Sequence, residues 1–171
     1  MTPLGKTPRM GTAMILLTVT LFAGFPGFAL GDSPKSPVAA VNTMNGLGLK
    51  GYDPVAYFIT GKPTPGVDAY TYHWKGVTYR FASAESQERF QVDPEQYLPQ
   101  YGGYCAYAMS LNRIADIDPA RWAIVAGKLY LNNNFFSHGL WSLNKSGNIT
   151  AADQNWAVYP KTGEGESMVA R

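Results

Sequence analysis

The sequence predicts an α+β domain, a small antiparallel sheet built from two hairpins and packed with several short helices. Two apolar runs each fold back across a two-residue turn, one around Lys75-Gly76 and one around Gly127-Lys128. Short helical stretches carry their own start and stop residues, such as Ser83 before Glu85 and Asp93-Pro94 after Phe90. The chain also has the length of one ordinary domain once its N-terminal segment is set aside.

That segment reads as an export signal. Lys6 and Arg9 form a basic start, residues 12–28 are apolar and uncharged, and Ala29 and Gly31 have the small-residue spacing of a cleavage site. Gly24, Pro26 and Gly27 break the run before it reaches the roughly 20 apolar residues of a membrane span, so residues 1–31 are expected to be removed after Gly31. The compartment expected is therefore periplasmic or secreted, with no stable membrane insertion after cleavage. Of 14 basic residues the signal takes two, leaving 12 against 12 acidic ones. A formally neutral remainder argues against nucleic-acid binding and against an anionic-membrane binder driven by net charge.

Residues 32–45, with Pro34 and Pro37, show no apolar period and read as a flexible leader to a domain over 46–160. Asp53-Pro54 opens a helical turn that would bury Val55, Tyr57 and Phe58. Residues 61–66 hold two glycines and two prolines and form a loop. In the first hairpin Trp74 should face Val77, Tyr72 face Tyr79 and Tyr70 face Phe81, with Thr71, His73, Thr78 and Arg80 on the polar side.

Ser83 caps a helix through Phe90, Asp93-Pro94 stops it, and Gly102-Gly103 allows close backbone approach. A helix from Gly103 onward would put Cys105 and Met109 on one face. Asp118-Pro119 repeats the capped-turn pattern ahead of the second hairpin, whose apolar residues on both faces predict a central position. Asn132-Asn133-Asn134 ends that hairpin. Two helices follow, over 135–143 and 149–158, the second capped by Asn148 or Thr150, and residues 161–171 form a polar tail.

The chemistry centres on Cys105, the only cysteine. An exported chain with one thiol forms no internal disulfide, so the thiol must be buried, metal-bound or reactive. Cys105 with Met109 one turn away is a soft donor pair suited to copper(I), and His73 or His138 could add an imidazole. Buried Cys and Met are equally ordinary as core residues, and a solvated face explains either histidine. A Cys–His nucleophile pair lacks an orienting third residue. No phosphate loop, paired-His zinc motif or nucleophile elbow occurs in the sequence.

A set of motifs then stands together. They are Gly51-Tyr52-Asp53-Pro54-Val55-Ala56-Tyr57-Phe58, Tyr72-His73, Tyr79-Arg80-Phe81-Ala82-Ser83, Asp93-Pro94-Glu95-Gln96-Tyr97-Leu98-Pro99 and Tyr101-Gly102-Gly103-Tyr104-Cys105-Ala106. With Asp118-Pro119, Trp122, Gly127-Lys128-Leu129-Tyr130-Leu131 and Trp156, they cover roughly residues 46–158. This pattern resembles the YHS-domain proteins, in particular their exported stand-alone branch. The resemblance implies heavy-metal handling, since YHS domains of copper-transporting ATPases resemble cysteine-rich metal-sensing modules. Where those relatives carry cysteines this chain has Ala56, Ala82 and Ser86, so any thiolate chemistry falls to Cys105. The expectation is a non-catalytic domain that binds copper or another soft metal ion through Cys105, with His73 or Met109. The alternative is a structural or protein-interaction module in which Cys105 is core.

Overall fold

The structure, a computed structural model, describes residues 35–162. The expected signal peptide and all but the first two residues of the expected tail lie outside the described residues. Within them the α+β class holds, as small sheets of two to four strands with several short helices. No described helix is long and apolar enough to cross a membrane.

The strands are β1 (Val38–Ala39), β2 (Thr43–Met44), β3 (Leu47–Gly48), β4 (Val67–Trp74), β5 (Val77–Phe81), β6 (Asp118–Val125), β7 (Lys128–Asn132) and β8 (Lys161–Thr162). The helices are α1 (Ala56–Ile59), α2 (Ala84–Val92), α3 (Pro94–Tyr97), α4 (Ala106–Ser110), α5 (Phe135–Leu143) and α6 (Lys145–Val158). The two hairpins belong to different sheets. The first joins a mixed four-stranded sheet of order β2-β3-β5-β4, in which β3 runs parallel to β5, and the second is a separate β6-β7 ribbon.

Trp74 faces Val77 and Tyr72 faces Tyr79 as expected, but Phe81 pairs with Val67 rather than Tyr70. The register slips between Val67 and Thr71. Beside the slip Gly66 lies against the Arg80 backbone, closer than any Cβ would allow, and Asp68 pairs with the Arg80 guanidinium. The turn Lys75-Gly76 has positive φ at both positions, 46° and 80°, which is what a two-residue hairpin needs to match strand twist.

The second hairpin turns one residue earlier than expected, at Ala126-Gly127 with φ of 50° and 74°, so Val125 pairs with Lys128. Glycine at the second turn position is common to both hairpins, and it sets the register. Asp118 begins β6 rather than a helical turn, its Oδ1 accepting from the Ala120 amide at 2.9 Å across the irregular start of the strand.

The second hairpin is not central to a larger sheet, since β6-β7 is a ribbon of its own, but β7 is covered on both faces as its apolar residues imply. Leu129 and Leu131 pack into a core with Val55, Tyr57, Tyr79, Phe81 and Phe90, while Tyr130, pointing the other way, joins Tyr101, Met109, Trp141 and Ala152. Asp53, fully buried, ties α1 to the first core: its carboxylate accepts from the amides of Val55 at 2.8 Å, Ala56 at 3.3 Å and Ala82 at 3.0 Å.

Two further expectations change. Part of the stretch expected as a leader is built into the fold, because β1 pairs in parallel with β8 and the Asn42 amide donates to Gly102 O at 2.8 Å. The last helix starts at Lys145, capped by Asn144, whose Oδ1 accepts from Gly147 N at 3.1 Å. Asn148 instead donates from Nδ2 to Trp141 O at 3.0 Å, joining the two final helices.

Candidate functional site

Cys105 stands at the meeting point of three segments. Gly102 (φ 60°) packs so tightly against Ala40 O that any side chain there would collide with it, and this close pass delivers the chain to α4. The Cys105 amide donates to Ala115 O at 3.0 Å, and its side chain takes the N-cap position of α4. The sulfur accepts from the Ala108 amide at 3.5 Å and from the Asn133 amide at 3.3 Å. Its proton points to Asn132 Oδ1 at 3.7 Å. With 1% of its surface exposed, the thiol is both buried and fully engaged.

Asn132, at the end of β7 and fully buried, is the second member of the site. Its Oδ1 also accepts from the Tyr107 amide at 3.1 Å. A backbone N–H only donates, so the carbonyl side of the Asn132 amide must face α4. Nδ2 then faces His138 Nδ1, 3.5 Å away on α5, and that nitrogen must be the acceptor. The imidazole is therefore neutral with its proton on Nε2. Burial pushes the His138 pKa below its ordinary value, and the cations Lys145 and Arg121 push it the same way.

These distances limit the chemistry. Asn132 stands between the thiol and the imidazole, and a neutral amide does not relay a proton in its ordinary form, so His138 is not placed to deprotonate Cys105. The arrangement is a hydrogen-bonded lock that joins the start of α4, the end of β7 and α5.

Of the sequence-expected ligands, Cys105 and Met109 both lie on the buried side of α4, with Met109 N donating to Cys105 O at 3.0 Å. His73 stands exposed on β4, an edge strand of the four-stranded sheet, and its Nδ1 is 3.3 Å from Thr78 Oγ1. Every partner of the Cys105 sulfur comes instead from α4 and the segment ending β7. Among the described residues no three His, Cys, Asp or Glu side chains gather as metal ligands would.

Asn132 and Asn133 carry roles that sequence reasoning missed, having treated the triple asparagine only as a strand terminator. Asn133 supplies its amide to sulfur and its Nδ2 to Asp116 O at 2.9 Å, and Asn134 caps α5 in a reciprocal box with Ser137. Three adjacent short amides at a strand-to-helix corner are the signal that could have pointed to them.

A small cleft lies on the other side of the Gly102-Gly103 loop, lined mainly by Val41, Leu49, Tyr79 and Leu98. Its space of about 50 Å³ suits a few waters rather than an organic ligand. Compared with known proteins, the chain matches no family model, no curated protein and no solved structure.

Proposed function

We propose that this chain is an exported, non-catalytic domain of the YHS type that works as a binding module, with Cys105 serving as a structural thiol. The observation that carries this reading is the set of three hydrogen bonds on a sulfur with 1% exposure. A thiol so engaged contributes to folding as a serine cap would, with a larger and more polarisable atom. A bulky thiol reagent tests it: Cys105 should label slowly in the native, metal-free protein and fast in denaturant. Fast native labelling would sink the structural role.

A second reading keeps soft-metal binding, by copper(I), at the same thiol. It is favoured by the placement of Cys105 and Met109 one turn apart on α4, with the His138 imidazole beyond Asn132 in place of the expected His73. Loading would require the sulfur to give up its Asn132 bond. Titration with copper(I) under reducing conditions separates the readings. Stoichiometric binding that disappears in Cys105→Ala supports the metal, equal binding by both proteins rejects the site, and no binding rejects the reading.

A further inference from the structure

The turn between β2 and β3 is Asn45-Gly46, the one Asn-Gly pair in the sequence. Its φ values of 54° and 77° are left-handed at both positions, and Met44 pairs with Leu47 across it. That is the backbone a two-residue hairpin turn needs, and it selects these two residue types. The same pair has a chemistry of its own. A glycine after asparagine leaves the peptide nitrogen unshielded, so that nitrogen can attack the asparagine carboxamide.

The surroundings favour the reaction. Both turn residues are exposed, and a Cβ built on Gly46 would meet no atom within 4 Å. Among the described residues no hydrogen bond uses the Asn45 carboxamide or the Gly46 N–H, so both reacting groups are unengaged. Ring closure requires the turn to open, and little holds it shut. Each strand is two residues long, and β3 meets β5 at the pair Leu47–Thr78, with Thr78 N donating to Gly46 O at 3.1 Å. A hairpin this short is marginal.

We propose that Asn45 is a self-modification site, converted to aspartate and isoaspartate by its own neighbour. Gly46 N bonds to Asn45 Cγ, the Cγ–Nδ2 bond breaks, and Nδ2 leaves as ammonia with the proton from Gly46 N, giving a five-membered succinimide. Water then opens the ring. Cleavage at Cγ leaves aspartate, and cleavage at the Asn45 carbonyl carbon leaves isoaspartate, with the main chain routed through Cβ and Cγ. Nothing is oxidised or reduced, and either product replaces a neutral amide with a carboxylate.

Isoaspartate adds one carbon to the main chain between two fixed points. Upstream, Asn42 is fastened by its amide to Gly102 O at 2.8 Å, and by Nδ2 to Gly103 O at 3.1 Å and Asp116 Oδ1 at 3.0 Å. Downstream, Gly48 lies against the buried Tyr79 ring, where even a Cβ would come within 2.5 Å. The extra length is trapped, so it breaks the β2–β3 register and takes the Thr78–Gly46 bond with it. The modification loosens residues 42–48, and it is independent of what Cys105 does.

Ageing the full chain in warm, mildly alkaline buffer tests this, beside a capped peptide of residues 42–48. The readouts are methyl transfer to isoaspartate by an isoaspartyl methyltransferase and electron-transfer fragmentation, which places the site. The folded protein should become a methyl acceptor at residue 45 about tenfold more slowly than the peptide, as a marginal hairpin allows. Asn45→Gly, which keeps the turn, should accept none at that position. No acceptance in the folded protein by the time the peptide is fully converted overturns the proposal. So does equal acceptance in Asn45→Gly, which would assign the chemistry to another residue. In the isoaspartyl form, separated by ion exchange, the Asn42 and Thr78 amides should exchange with solvent about tenfold faster or more by NMR. Unchanged exchange there overturns the loosening.

Discussion

The Tyr107 amide nitrogen lies 3.1 Å from Asn132 Oδ1 and thereby sets which way round the Asn132 amide sits. Everything beyond that bond inherits its polarity, including the His138 tautomer. Asn132→Asp should therefore raise the His138 pKa, because a carboxylate oxygen in place of Nδ2 favours a proton on the facing Nδ1. An NMR titration of the His138 ring checks this, and a lowered or unchanged value counts against the assignment. Asn132→Ala should cost about 1–3 kcal/mol by urea unfolding, since it strands the Tyr107 amide and the Cys105 thiol without a partner.

Mild acid should destabilise the domain through His138. Its folded-state pKa lies below the ordinary 6.5, so between those two values the unfolded chain binds the extra proton. Stability from this group is full above pH 6.5 and is lost as pH falls through the folded pKa. The Asn132 bond adds to the effect, because an imidazolium has no acceptor nitrogen. Thermal midpoints of the wild type should fall across that window, and those of His138→Gln should fall less.

The alkaline side belongs to the tyrosines. Burial and the bond from Tyr101 Oη to Asp153 at 3.0 Å hold the Tyr101 proton well above the usual range, and burial alone holds Tyr79 up to about 12. An acid whose folded pKa is raised keeps its full stabilisation below the ordinary value of 10.0 and loses it as pH climbs toward the folded value. Tyrosinate absorbance should therefore rise together with loss of tertiary circular dichroism. Independent, gradual ionisation without unfolding is the contrary outcome. Tyr101→Phe should cost about 1.5–3 kcal/mol at neutral pH through the lost bond to a carboxylate.

Two glycines should respond to alanine with opposite signs. Gly102 has a φ of 60° and backbone from Ala40 against it, so Gly102→Ala should lose more than about 1 kcal/mol. Gly139 sits inside α5 with open space around it, so Gly139→Ala should gain about 0.5–1 kcal/mol. Chemical-denaturation midpoints of the pair give the comparison directly.

Local signals were legible where a side chain acts on its own neighbourhood. Ser83 caps α2, Asp93 caps α3 and Lys75-Gly76 closes the first hairpin, because each bond spans three residues or fewer. The alternation of Leu129, Tyr130 and Leu131 foretold that β7 would be covered on both faces. What escaped were non-local choices. The slip at Thr71 involves Gly66 and Asp68 meeting Arg80 across the sheet, and nothing in the strand's own alternation encodes it. Cys105 was legible as the centre of the site, but Asn132 lies 27 positions away, and its bond to sulfur exists only once β7 is laid beside α4. His73 was chosen for its chemistry, and its strand takes it to another sheet.

The parallel pairing of Val38–Ala39 with Lys161–Thr162 turns the described domain into a nearly closed ring. Because the two strands run parallel, the chain enters at one end of this short pair and leaves at the other, so the two ends lie close together while heading in the same direction. Such a unit can be spliced into a loop of a host protein without stretching the host, and a short bridge from position 162 to 38 would allow new ends to be cut in an exposed turn such as Lys75-Gly76.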